Sequence, residues 1–278
     1  MTIQELLNIG YKKLKDNKKE DAKFIVKSLL ASFLKKDFIY LVVHSSEVVS
    51  EDIECKFMNA IQKIIDGYPL QYITNKQNFM GIEFWVDESV LIPRADTEVL
   101  VQEVIDIANC NDINKILDMC TGSGAIAVSI AKYIPNCNIM AVDISSNALN
   151  VAKKNAKNEN VNIKFVKSDL FNNINEKFDI IVSNPPYIKT DIISKLDIEV
   201  QQEPIIALDG GKTGLDFYRK IIVEAKKYLN KNGYLAVEIG YDQKEEVYNL
   251  FYENNYQNIK ILKDYGQNYR VIVGRNEV

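Results

Sequence analysis

The sequence is poor in the residues on which many enzyme classes depend. It contains a single histidine, His44, so a Ser-His-Asp arrangement with a positioned base is an unpromising reading. His44 itself is expected at a loop or helix end. The four cysteines, Cys55, Cys110, Cys120 and Cys137, include no Cys-x-x-Cys pair, and with one histidine they build no zinc site of ordinary spacing. Thiols in a reducing compartment are the expected state. No run of 18 apolar residues is present, which leaves no membrane-spanning helix in the sequence pattern. The opening Met1-Thr2-Ile3-Gln4-Glu5 lacks a basic stretch followed by an apolar one, so a cytoplasmic location is the expectation. Nor is there a basic excess. The net charge is −4, against the basic footprint that duplex nucleic acid requires. Lysines crowd residues 12–36, but Asp16, Glu20 and Asp21 offset them, as on a solvated helix surface.

What is present is apolar and aromatic: 47% of residues are hydrophobic, with 15 tyrosines and 11 phenylalanines, enough to bury a sizeable core. Residues 1–75 carry three helical stripes: Ile3, Leu7, Tyr11 and Leu14; Ala22, Ile25, Leu29 and Phe33; and Ile53, Phe57, Ala60, Ile61 and Ile64. Ser50 starts the third helix, and Gly67 with Pro69 stops it. Residues 76–95 read as a β-hairpin linker, with β-formers broken by Gly81 and by Asp87-Glu88-Ser89. A helix from Val99 to Ala108 follows, for which Asp96 or Thr97 is the expected cap.

Residues 96–278 are read as one domain, in which strands and helices alternate from residue 114, the pattern of a doubly wound α/β sheet. Strands are predicted at 115–119, 138–142, 162–167, 178–183, 234–239, 259–262 and 270–273, and helices at 125–133, 146–158, 215–229 and 243–253. The last two strands are joined by Asp264-Tyr265-Gly266-Gln267-Asn268, which predicts a hairpin that places an antiparallel strand at the sheet's end.

The chemistry concentrates where strands end. Cys120-Thr121-Gly122-Ser123-Gly124 lies between the first of these strands and its helix, where two glycines permit a tight turn and close approach to a ligand. Asp143 ends the second strand and can accept both hydroxyls of a ribose. Asp169 and Leu170, after the third, can accept an adenine amino hydrogen and cover the ring. No Gly-Lys-Ser/Thr is present, so this is not a phosphate loop. A glycine turn followed by an acid suits either a dinucleotide or S-adenosylmethionine. Asn184-Pro185-Pro186-Tyr187 separates the two. It follows the apolar strand Phe178–Ser183, and its prolines impose a stiff, non-helical turn. There the Asn184 amide oxygen and the Pro185 carbonyl can hold both hydrogens of an NH2 group and direct its lone pair, with Tyr187 packed on the planar group. A methyltransferase acting on an NH2 needs such a loop, whereas a hydride-transfer enzyme does not.

The chain resembles the protein-(glutamine-N) methyltransferases that modify peptide chain release factors. Beyond the Asn184–Tyr187 loop, the resemblance rests on the stretches 67–73, 91–98, 203–211, 213–219, 238–243 and 264–270, which occur in the family's order. It implies a seven-stranded methyltransferase domain, a helical N-terminal domain that docks the substrate, and methylation of the glutamine in a Gly-Gly-Gln loop. It assigns Cys120 to Gly124 to the methionine part of the cofactor, Asp143 to the ribose, Asp169 and Leu170 to the adenine, and Asn184 to Tyr187 to the glutamine amide. Arg94 and Glu203 fall near the pocket rim, as functional residues or as a structural ion pair. The sequence departs from the family at Cys120, where glycine is usual and a φ acceptable to a side chain is therefore expected, at Ala95, where proline is usual, at Leu170, where some relatives carry an aromatic, and at Ile64-Ile65-Asp66, where a basic pair is frequent. Competing assignments are a DNA or RNA amino-methyltransferase, which shares the Asn184–Tyr187 loop, a nicotinamide-dependent dehydrogenase, and a degenerate binding module.

Overall fold

The computed structural model describes residues 1–277. The chain divides into two compact units, one of residues 1–76 with 197–202, the other of residues 77–196 with the chain from 203 onward.

The first unit is helical: α1 (Ile3–Asp16), α2 (Ala22–Leu34), α3 (Phe38–Val43), α4 (Glu51–Ile65) and α5 (Leu70–Thr74). Polar side chains satisfy the helix starts. Thr2 accepts from the Glu5 amide while the Glu5 carboxylate accepts from that of Thr2, and Ser50 caps α4 as expected. The three stripes meet in one core containing Ile3, Leu6, Leu29, Leu30, Phe57 and Ile61. Periodicity missed α3 and α5, which are too short to display it. His44 ends α3, exposed, with its ring stacked on Tyr40.

The second unit begins with a hairpin, β1 (Gln77–Phe79) and β2 (Ile82–Phe84). Met80 and Gly81 turn it with φ of 51° and 72°, as a tight two-residue connection requires. Phe79, Ile82 and Phe84 are buried in this unit's core. Next come α6 (Glu98–Cys110), β3 (Lys115–Met119), α7 (Ala125–Tyr133), β4 (Asn138–Asp143), α8 (Ser146–Asn158), β5 (Ile163–Lys167) and β6 (Phe178–Ser183), then the short α9 (Ile205–Leu208), α10 (Asp216–Tyr228), β7 (Leu229–Glu238), α11 (Lys244–Glu253), β8 (Gln257–Lys263) and β9 (Tyr269–Asn276).

The seven longer strands form one sheet in the order β5-β4-β3-β6-β7-β9-β8. The five strands from β5 to β7 run parallel, and β9 is antiparallel to both of its neighbours. The expected placement of the antiparallel strand is thus corrected. It lies inside the sheet between β7 and β8, because the β8–β9 hairpin folds back so that β9, lined by Val271, Ile272 and Val273, takes the buried position. Alternation along the strands supplies two cores. Ile116 faces α6, α7 and α8, while Leu117 and Met119 face α10 and α11.

The helix cap predicted before α6 is also corrected. Residues Ala95–Thr97 form a 3-10 turn, Thr97 makes no capping hydrogen bond, and Asp96 pairs with Arg270 at 3.2 Å. Among the described residues no helix is long and apolar enough to cross a membrane.

Candidate active site

Parallel strands bring their carboxyl ends to one edge of the sheet, the place where open α/β sheets present ligand-binding loops. A cavity of about 230 Å³ opens there. Its lining includes Cys120 and Gly122 after β3, Asp143 at the end of β4, Asp169 and Leu170 after β5, and Asn184 and Pro186 after β6. A smaller recess of about 50 Å³ adjoins it, lined among others by Arg94, Thr97, Thr121, Ser123 and Asn184. Asn184 lines both. Pro185 and Tyr187 line neither, although they belong to the same loop. A larger depression of about 690 Å³ lies at the opposite, amino-terminal end of the strands, bordered by Lys115, Asn138 and Lys164. It has neither the glycine turn nor an acid-ended strand.

The glycine turn is held from three sides. The Gly122 amide donates to Asp143 at 2.9 Å. The Thr121 hydroxyl and the Ala127 amide donate to Asp118, a carboxylate buried inside β3. Asn155, buried in α8, donates to the Ser123 carbonyl and both donates to and accepts from the backbone of Trp85. Gly122 and Gly124 have φ of 54° and 79°. Cys120, with φ of 61°, also lies in the left-handed region, so the expectation of a side-chain-friendly φ is corrected. The strain there is on the order of 1 kcal/mol. The cysteine keeps the glycine conformation because the packing of β3 against β4 and β6 fixes the path of the turn. Burial pushes its thiol well above the usual range. Leu170 repeats the pattern with φ of 46°, its carbonyl accepting from the buried Ser168 hydroxyl at 2.7 Å.

Asp143 is placed to receive a ligand's donors. One oxygen accepts from Gly122 and the other from Ser145 at 2.8 Å, which orients the carboxylate beside the cavity with acceptor capacity to spare. Burial raises its pKa, and these backbone donors oppose the rise.

The Asn184 loop is clamped by residues distant in sequence. The Gly210 amide donates to the Ile188 carbonyl, and the Ile188 amide to the Leu208 carbonyl. The Gln243 side chain donates to the carbonyls of Tyr187 and Gly214. A Cβ on Gly210 would meet the Tyr187 backbone at 2.7 Å, so only glycine permits this contact. The Tyr187 hydroxyl donates to Glu238 at 3.2 Å, and the ring packs in the core of α10 and α11. Arg94 and Glu203 do form an ion pair, and Glu203 also accepts from the Ile92 amide, fixing the stretch that borders the smaller recess.

Three site residues escaped the sequence. Thr97 looked like a helix cap, yet it receives the Asn184 amide nitrogen at 3.3 Å. Glu238 was seen only within a recurring stretch, although a charge in the apolar strand Leu235–Val237 was a usable signal. Asn155 gave no signal, being one of several polar residues on α8.

Comparison with known proteins agrees with this layout. Residues 95–205 match the family model described as methyltransferase small domain, and residues 5–74 match the PrmC N-terminal domain. The chain is similar to the release factor glutamine methyltransferase of Clostridium acetobutylicum, 40% identical over 98% of both chains, and to that of Streptococcus pneumoniae, 42% identical over 91% of each. Its fold is similar to that of a methyltransferase from Pyrococcus furiosus, with a TM-score of 0.55, 19% identity, 79% of this chain and 99% of that one covered. The chain therefore belongs to the release factor glutamine methyltransferase family.

Proposed function

We propose that the protein transfers a methyl group from S-adenosylmethionine to the side-chain amide nitrogen of the glutamine in the Gly-Gly-Gln loop of peptide chain release factors. The observation that carries this is the position of Asn184, a hydrogen-bonding amide on a proline-stiffened turn that lines two cavities with a shared wall. The residues present fit the cofactor. Asp143 offers carboxylate oxygens for ribose hydroxyls, and Leu170, Pro186 and Phe217 give the cavity apolar walls for an adenine, with Asp169 beside them. Cys120 to Ser123 border the recess nearer α7, in keeping with a methionine tail there, and Gly124 closes the same turn without lining it. S-adenosylmethionine, when bound, supplies an electrophilic methyl group on a sulfonium centre.

The protein's own part is positioning. An amide nitrogen is a poor nucleophile because its lone pair is delocalised into the carbonyl. The Asn184 oxygen would accept one amide hydrogen and the Pro185 carbonyl the other, favouring the pyramidal nitrogen and aiming its lone pair. The nitrogen becomes strongly acidic once alkylated and releases its proton to water without a dedicated base, so the scarcity of histidine is no obstacle. The helical unit would dock the release factor. In support, α3 leaves Ile39, Val42 and Val43 exposed, and Val48 after it is exposed as well, apolar residues that the unit's own core does not use.

The reading is tested by incubating the protein and cofactor with purified release factor, or with nucleic acid, and locating the added methyl by mass spectrometry. Methyl on the Gly-Gly-Gln glutamine is expected; methyl found only on nucleic acid would overturn the assignment. Asn184→Ala is expected to abolish transfer while weakening cofactor binding far less, as calorimetry would show.

A further inference from the structure

The stretch 264–270, one of those that carry the family resemblance, lines neither of the two cavities at Asn184. It forms the turn between β8 and β9, and buried partners hold it. The Asp264 amide donates to the Asn268 carbonyl, and the Gln267 amide to that of Asp264. The Asp264 carboxylate, 2% exposed, accepts from the Asn268 amide at 2.9 Å and pairs with Arg270 at 3.0 Å. Arg270 also donates to the Ile239 carbonyl at 3.3 Å and pairs with Asp96. This framework carries Tyr265 outward, 73% exposed. Tyr241, after β7, and Tyr269, opening β9, are exposed as well. The Lys244 and Lys263 ammonium groups lie 4.5 and 5.0 Å from the centre of the Tyr269 ring.

Strand register places this aromatic surface beside the site. Ser183, Val237 and Ile272 share one row across β6, β7 and β9. Asn184 stands one residue beyond that row. Tyr269 stands three beyond it on the same side, because β9 runs antiparallel to β7. With strands about 4.8 Å apart and a rise of about 3.3 Å per residue, Tyr269 begins about 12 Å from Asn184, and the tip of the turn is within roughly 20 Å. An extended polypeptide covers that distance in about four to six residues.

We infer that the Tyr265 turn, with Tyr241 and Tyr269, is a docking surface for the substrate protein's own chain, about four to six residues from the target glutamine. This rests on the function proposed above and adds which part of the substrate the second unit reads. Tyrosine is enriched where protein surfaces meet, and a turn fixed beforehand loses little freedom on binding. The buried Asp264–Arg270 pair supplies that stiffness, since Tyr265 itself buries little. Asp242, Glu245 and Glu246 follow Tyr241 closely, and their negative charge favours a polypeptide over a phosphate backbone here.

The test compares Tyr265→Ala and Tyr265→Phe with the parent protein on two substrates. One is purified release factor; the other is a peptide with two residues on either side of the glutamine, too short to reach the turn. Tyr265→Ala should raise the KM for release factor about tenfold. It should leave kcat, cofactor affinity and turnover of the peptide within about twofold of the parent. Tyr265→Phe keeps the ring and should retain most of the affinity. An unchanged KM, or a loss that the peptide shares, would overturn the inference. A parent protein that methylates nucleic acid and leaves release factor unmodified would instead refute the function. Docking is then still measured with a photoreactive side chain in place of Tyr265. It should crosslink to release factor within about six residues of the Gly-Gly-Gln glutamine. Crosslinks to other parts of release factor, to nucleic acid, or to nothing would sink the inference without reference to activity.

Discussion

At the scale of single residues, the two glycines of the cofactor turn have different duties. A Cβ on Gly122 would stand in open space beside the cavity, whereas one on Gly124 would come 3.0 Å from Ala152 Cβ and 3.1 Å from its Cα on α8. Both have positive φ, so any side chain there costs about 1 kcal/mol. Gly122→Ala is therefore expected to lower stability by no more than about 1 kcal/mol, with its main effect on cofactor affinity. Gly124→Ala adds a clash with helix backbone and should lose about 2–3 kcal/mol. Urea unfolding and calorimetric titration of both variants separate these effects, and equal destabilisation would contradict the division. The two glycines were legible in the sequence as a turn. Which one faces the ligand was not, since that depends on where α8 packs.

At the scale of elements, Asn155 shows how α8 ties the hairpin exit to the glycine turn. Its amide satisfies the Trp85 N–H, the Trp85 carbonyl and the Ser123 carbonyl. Asn155→Ala leaves these buried and half-buried groups unpaired and should cost about 3 kcal/mol, while also loosening the turn and weakening cofactor binding. Unfolding with and without cofactor measures both, and a loss within the noise of an exposed asparagine substitution would refute the role. Boundaries of β3, α7, α8 and β6 follow from the sequence because each has an unbroken apolar period. The misread cap at Thr97 and the place of β9 share one cause. Each depends on partners far along the chain, Asn184 for the first and β7 for the second.

At the scale of the whole molecule, buried carboxylates set how stability varies with pH. Burial pushes Asp118 and Glu238 each up to about 7, and raises Asp143 and Glu203 as well. A carboxyl whose folded pKa exceeds its unfolded one favours folding most below the unfolded pKa, and that contribution is lost as pH rises through the folded pKa. The window for Asp118 and Glu238 therefore runs from about 4 to about 7. Glu176 and Asp264, held low by cationic and hydrogen-bonding partners, act in the opposite sense, but below that window. With one histidine in the chain, few other groups titrate within it. The melting temperature of the ligand-free protein is expected to fall from pH 5 to pH 8, and Asp118→Asn should flatten the slope; a rise over that range would refute the account. What the sequence by itself determined is the class of fold, the order of strands and helices along the chain, and the motifs at the strand ends. These are written in local periods and turn residues, which act over a few positions. Only the tertiary structure decided that β9 inserts beside β7, that Cys120 accepts a glycine's backbone angle, and that Thr97 receives the Asn184 amide while Glu238 receives the Tyr187 hydroxyl. Those outcomes depend on burial and on hydrogen-bond partners that the chain brings together only when the sheet closes its core.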